Sequence, residues 1–105
     1  MANQKWASFL GLANRARKVV SGEETVLRVV RQNKAAVVIL SADASERTRK
    51  TITDKCRYYN VPLRTVEDRR QLGQAIGQPA RVIVAVTDKG FGDKLIALID
   101  QSLRG

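Results

Sequence analysis

A chain of 105 residues, 44% hydrophobic and 28% charged, has the makeup of one globular domain over 1–105 that buries a core without metal or disulfide staples. Lys and Arg number 19 against 10 Asp and Glu, a formal charge of +9 at pH 7, and there is no histidine. The charge favours a polyanionic partner, and the missing histidine removes the commonest general acid–base, the Ser-His and Cys-His nucleophile pairs and most zinc sites.

The longest wholly apolar run is Ala35 to Leu40, far short of the ~20 residues a membrane helix needs. The N-terminus intersperses apolar with polar residues and lacks the order of a signal peptide. The lone Cys56 can form no internal bridge and fits a reducing compartment. A cytoplasmic protein with no membrane, cofactor or small-molecule partner is therefore expected.

Trp6, Phe9, Leu10 and Ala13 recur at helical spacing and predict an amphipathic helix over 4–17. A very short strand at 18–20 precedes Ser21-Gly22. A second helix over 23–32 carries Val26, Leu27, Val29 and Val30, and ends at Asn33-Lys34. "AAVVIL" (35–40) reads as a strand covered on both faces. A third helix, about 45–59, turns Ile52, Cys56 and Tyr59 inward and ends at Asn60. "VPLRTV" (61–66) is a strand whose Pro62 argues for an edge position or strand entry. A fourth helix, 68–76, stops at Gly77. "RVIVAV" (81–86) is another buried strand, and a last helix runs from Gly90 to about Leu103 with Phe91, Leu95, Leu98 and Ile99 on one face. Alternating helices and apolar strands give an α/β fold, a three-layer α-β-α sandwich around a mixed sheet of about four strands.

Two adjacent carboxylates, Glu23 and Glu24, stand at the start of the second helix in this basic chain. Ser21-Gly22-Glu23-Glu24 fits the capping box S-x-x-E, in which Ser21 and Glu24 satisfy backbone N–H groups of the first turn. Acids also suit the positive end of the helix dipole. The same turn suits a second role. A helix N-terminus offers N–H donors to phosphates, and a carboxylate there can accept hydrogen bonds from the base edge of splayed or non-canonically paired RNA.

"SGEETVLRVVRQNKAAVVIL", followed by "LGQAIG" (Leu72, Gly73, Ala75 and Gly77 in L-G-x-A-x-G) and an apolar strand, resembles the kink-turn RNA-binding ribosomal protein superfamily. Relatives in that superfamily include the archaeal large-subunit ribosomal protein that also serves box C/D RNPs. "GLANRARKVVSG" resembles most its small bacterial branch, called YlxQ. The resemblance spans Trp6 to the last helix. It implies a non-enzymatic protein gripping structured, kink-turn-like RNA, in rRNA, the ribosome or another RNP. It also implies a site at the start of the second helix and in the loop after the fourth. Matched residue by residue, the turn glycine is Gly22, the usual Asn or Lys is Glu24, the guanine-facing Glu or Gln is Thr25, and a helix lysine is Arg28. Two of these, Glu24 and Thr25, depart from the family pattern. The second loop matches Gln78, Pro79, Ala80 and Arg81. The candidate RNA site is Lys18, Ser21, Gly22, Glu23, Glu24, Thr25, Arg28, Pro79, Ala80 and Arg81, with Glu23, Glu24 and Thr25 toward bases and Lys18, Arg28 and Arg81 toward phosphates.

Other features have plainer readings. Gly77 can end the fourth helix at positive φ, and Gly73 can let it pack closely. Arg15 and Arg17 lead toward the turn with Lys18. Arg47, Arg49, Lys50, Lys55 and Arg57 on the third helix read as a solvated face, Trp6 and Phe9 as core, and Cys56 as a small buried hydrophobe. Asp43 and Asp88 follow strands, where paired carboxylates could hold Mg²⁺ for a nuclease or phosphotransferase. Capping and turn chemistry is the simpler role for both. A protein-interaction module docking acidic partners is the remaining alternative.

Overall fold

A computed structural model describes residues 5–103. Five helices and four strands follow in the order α1 Lys5–Arg15, β1 Val19–Ser21, α2 Glu23–Arg31, β2 Val37–Ser41, α3 Glu46–Tyr58, β3 Leu63–Val66, α4 Arg69–Ala75, β4 Ile83–Val86 and α5 Lys89–Leu103. Every expected element is present within a few residues. Residue 4, where the first helix was expected to begin, lies outside the described residues.

The strands form one mixed sheet in the order β1-β4-β2-β3. β2 and β3 run parallel and are joined through α3, while β4 is antiparallel to both β1 and β2. β3 is an edge strand, as Pro62 suggested; its entry is tied down by Val38 N donating to Pro62 O at 2.9 Å. Both faces of β2 and β4 are covered, so every residue of these strands is buried. That explains why their sequences are continuous apolar runs rather than alternating ones.

The alternation of side chains along β2 sorts the core into two halves. Val38 and Leu40 face α2 and α3, packing with Val26, Val30, Ile52 and Cys56. Val37 and Ile39 face α1, α4 and α5, packing with Trp6, Leu10, Leu72, Leu95 and Ile99. Three layers result. Trp6 is 5% exposed, and the half-buried Phe9 packs its ring 5.5 Å from that of Phe91, so both pack with the core. Cys56 lies in the core, where burial pushes its thiol up to about 11.

Helices α1 to α4 end alike. The second residue past each of them turns into the left-handed region: Arg17 (φ 63), Asn33 (φ 57), Asn60 (φ 58) and Gly77 (φ 76). The next N–H then reaches back five residues, from Lys18 to Ala13 O, Lys34 to Val29 O, Val61 to Cys56 O and Gln78 to Gly73 O. These are Schellman closures, which satisfy carbonyls that a helix end would otherwise leave bare. Asn and Gly tolerate this backbone; Arg17 adopts it at a cost.

The register decides where function can sit. Ser21 pairs with Val84, Leu40 with Ile83, and Ser41 with Val66. One end of the sheet therefore gathers the starts of α2, α3 and α4 and the end of the α4–β4 loop. The other end gathers Lys18, Thr87 and Asp88, about 13 Å away over four strand residues.

Candidate functional site

The turn from β1 into α2 is built by the ladder. Ser21 is still paired with β4, and Gly22 N donates to Ile83 O at 3.2 Å. The chain must then turn within one residue. Gly22 does so at φ 95, ψ 143, next to a region essentially reserved for glycine. It is also the N-cap, its carbonyl accepting the first helical bond from Val26 N at 2.9 Å. The expected capping box is therefore not formed. Ser21 is held in the strand and cannot double as the cap, and no side chain among the described residues caps α2. Glu23 and Glu24 remain in the first turn, where the dipole favours acids.

The α4–β4 loop is brought against this turn by a close approach. A Cβ on Gly73 would meet Ala80 Cα at 2.5 Å and Ala80 N at 2.6 Å. Only glycine lets the loop lie flat on α4. Two backbone bonds pin it there, Gln78 N to Gly73 O and Arg81 N to Arg69 O, each 2.9 Å. Gly77 makes the turn at positive φ with open space around it. Both glycines thus serve structure, as expected.

Together these segments enclose an open cleft of about 310 Å³, lined by Gly22, Glu23, Ser45, Thr48, Arg69, Arg81, Val82 and Ile83. Glu23 is aimed by α3: Thr48 Oγ1 donates to Glu23 Oε1 at 2.9 Å. Thr48 is itself fixed by Ser45, which caps α3 by accepting from Thr48 N at 3.2 Å and donates to Thr48 Oγ1 at 3.1 Å. Arg81, half-buried, donates from its guanidinium to Ala80 O at 2.6 Å. Arg69 is braced by Asp43, Nε to Oδ2 at 3.3 Å and an NH₂ group to Asp43 O at 2.8 Å. The Asp43 carboxyl is held below the usual carboxylate range, first by the nearby Ser41 hydroxyl and then by Arg69. Ser41 Oγ is buried, and among the described residues no partner lies within hydrogen-bond distance of it.

The sequence-predicted residues divide by place. Gly22, Glu23 and Arg81 line the cleft. Ser21, Glu24, Thr25, Pro79 and Ala80 flank it along the chain, Glu24 and Pro79 exposed and Thr25 half-buried. Arg28 stands exposed one turn further along α2, on the side of Glu24. Lys18 is exposed at the far end of β1, its carbonyl bound by Thr87 N at 2.8 Å, and does not join the cleft. Arg17 precedes Lys18 in the chain just past the end of α1, and Arg15 lines a separate open groove between α1 and α4 with Gln71, Gln74 and Gly77; neither lines the cleft.

Ser45, Thr48 and Arg69 were missed as site residues. The S-x-x-T spacing of Ser45 and Thr48 signals an N-cap, but nothing local says that this cap faces Glu23. The paired-aspartate alternative does not survive the topology. Asp43 follows β2 and Asp88 follows β4; these strands are antiparallel, so the two carboxylates stand at opposite ends of the sheet. Asp88 accepts from Phe91 N at 2.9 Å at the start of α5, and Asp43 braces Arg69. Among the described residues no group of three metal-ligating side chains is assembled.

Fold and site define a class: an α-β-α sandwich with a mixed acid–base cleft at one sheet end, where helix starts and the Arg81-bearing loop converge. Residues 4–96 match the model of the ribosomal protein L7Ae/L30e/S12e/Gadd45 family, and the chain belongs to that family. It is similar to the "RNA-binding protein YlxQ" of Bacillus subtilis (strain 168), 56% identical over 100 residues, 95% of this chain and 100% of that one. It is also similar to the protein of the same name from Enterococcus faecium, 39% identical over 97 residues, covering 92% and 93%. A solved structure of a Bacillus halodurans protein of unknown function superposes with a TM-score of 0.91 at 48% identity, over 93% of this chain and 99% of that one. The Giardia lamblia 15.5kD RNA binding protein superposes at 0.80 with 17% identity, over 99% and 92%, a likeness of fold.

Proposed function

We propose that this protein is a non-enzymatic binder of structured, kink-turn-like RNA, and that the cleft between the start of α2 and the α4–β4 loop is where it grips. The observation that carries this reading is the convergence of Gly22, Glu23 and Arg81 in one concave site, although they come from segments some sixty residues apart. A kinked RNA presents splayed bases beside closely spaced phosphates. The cleft answers both. Glu23, oriented by Thr48, accepts from a base edge, and the bare first-turn N–H groups of α2 donate. Arg81 and Arg28 meet phosphates, with Arg69 beside them. Gly22 lets a sugar or base approach the backbone, since, its chain neighbours aside, no atom of the described residues lies within 4 Å of the position its Cβ would take. Glu24 and Thr25 occupy the positions at which the resemblance departs from its usual pattern, so affinity is set more by Glu23 and the cations than by Thr25.

The names of the Bacillus subtilis and Enterococcus faecium relatives, with the high identity to them, support RNA as the partner. The +9 charge supports a polyanion. No helix among the described residues is long and apolar enough to cross a membrane, and a lone cysteine accords with the cytoplasm. The test is titration of a kink-turn RNA against a fully paired duplex of equal length. About three phosphate contacts from the cleft give a log–log salt slope of roughly −2 to −3 at ~0.7–0.9 per contact. Preference for the kinked RNA with that slope is expected; equal affinity for both RNAs contradicts the reading. Sequencing the RNA that co-purifies with the protein identifies the target, ribosomal or other.

A further inference from the structure

Helix α3 begins at the cleft, with Ser45 and Thr48 in its wall, and runs away from it. At about 3.6 residues per turn, Arg47, Lys50, Asp54, Arg57 and Tyr58 share the side opposite buried Ile52 and Cys56. Arg47, Lys50 and Arg57 are exposed, and among the described residues no carboxylate pairs with them. Asp54 shares their side without forming an ion pair to any of them. Arg49, by contrast, is turned back to bind Ala42 O. The stripe ends on Tyr58, 77% exposed, whose ring packs edge-on against Tyr59 at 4.8 Å. Tyr59 packs on the core, so the exposed ring is held in place.

A face that served only solubility would not need an anchored, exposed aromatic ring at its end. Unpaired cations in a row plus such a ring form a surface that tracks a nucleic-acid backbone. We propose that α3 is a second RNA contact. Phosphates of a stem leaving the cleft lie along Arg47, Lys50 and Arg57, a span of about 15 Å, and Tyr58 stacks on a sugar or base at its far end. This rests on the reading of the cleft as an RNA site. It changes what α3 was expected to be, a solvated face.

The experiment uses the full chain, a kink-turn RNA with short stems, and the same motif with each stem extended by about ten base pairs, roughly one helical turn. Three proteins are compared: the wild type, the triple variant Arg47→Gln/Lys50→Gln/Arg57→Gln, and a charge-matched control, Lys34→Gln/Lys89→Gln/Lys94→Gln. The control positions are exposed and outside the cleft and stripe. The wild type gains affinity on extension of one stem, and its salt slope steepens by roughly 2. The triple variant loses that gain, about tenfold or more near 0.1 M salt, and binds the short RNA as the wild type does. The control keeps the gain, and Tyr58→Ala loses part of it. Wild-type binding to the short RNA without a gain on extension overturns the α3 contact alone. An equal loss on both RNAs, or an equal loss in the control, reduces the effect to bulk charge and also overturns it. Displacement of the extended RNA from the stripe by an acidic polypeptide of equal charge assigns the face to a protein partner instead. Failure of the wild type to prefer the short kinked RNA overturns the cleft reading as well.

Discussion

Gly73→Ala is the sharpest test of how the site is assembled. The added methyl would lie 2.5, 2.6 and 2.7 Å from Ala80 Cα, N and C, all backbone atoms that no rotamer change can move. Ordinary contact needs the loop to retreat by about 1 Å, and overpacking of this kind costs roughly 1–3 kcal/mol. The retreat also stretches the bonds Gln78 N to Gly73 O and Arg81 N to Arg69 O, each worth about 0.5–1.5 kcal/mol. Against this, alanine in a helix gains about 1 kcal/mol over glycine. The net is a loss of roughly 1–3 kcal/mol, and at ~4–8 °C per kcal/mol for a domain of this size, a Tm lower by about 5–20 °C. Because the loop carries Arg81 into the cleft, affinity for a kinked RNA falls too, measured well below the new Tm. Gly77→Ala is the control. It sits at φ 76 in open space, so it adds backbone strain of about 1 kcal/mol without displacing the loop. Thermal unfolding and RNA titration on the same samples decide. A Gly73→Ala protein with an unchanged or higher Tm and unchanged binding would refute the claim that this close approach builds the site.

Gly22→Ala should cost about 1–3 kcal/mol, since φ 95 strains any L side chain even in open space; an unchanged melting curve contradicts this. Arg17→Gly should raise stability by roughly 0.5–1 kcal/mol by relieving a left-handed arginine, and should leave RNA affinity nearly intact, because the residue lies away from the cleft. Glu24→Lys should lower stability by only about 0.3–1 kcal/mol, the loss of a favourable dipole interaction with no cap bond to break, and bind RNA as tightly or more tightly. The Cys56 thiol, raised from 9.0 to about 11 by burial, gives stability that is whole below the unfolded value and fades as pH climbs through 9 toward 11; Cys56→Ala should flatten that alkaline limb of a denaturation profile.

Much of the fold was legible because its signals are local. "AAVVIL" and "RVIVAV" are too apolar for a half-exposed strand, and both are buried on two faces. Asn33, Asn60 and Gly77 announced helix ends through residues that tolerate positive φ. The capping box misled for a physical reason. S-x-x-E is a local pattern, and the β1–β4 ladder outcompeted it by holding Ser21 in the sheet. Glu23's partner was invisible for a similar reason. Thr48 lies 25 residues away, and only the packing of α3 beside α2 brings its hydroxyl to the carboxylate. Lys18 looked like part of the turn because it is four residues from Gly22 in sequence. An extended strand carries it to the other end of the sheet. Asp43 and Asp88 looked equivalent because each follows an apolar strand, a symmetry that antiparallel pairing breaks.

Amide chemical-shift mapping of the labelled protein, titrated with a kink-turn RNA, shows whether RNA sits between the start of α2 and the end of the α4–β4 loop. The largest changes are expected at Gly22 to Thr25, Thr48 and Arg81 to Ile83, with little change at Lys18, Thr87 and Asp88 at the opposite end of the sheet. Perturbations concentrated at that opposite end, with Gly22 and Arg81 unmoved at saturation, would contradict it.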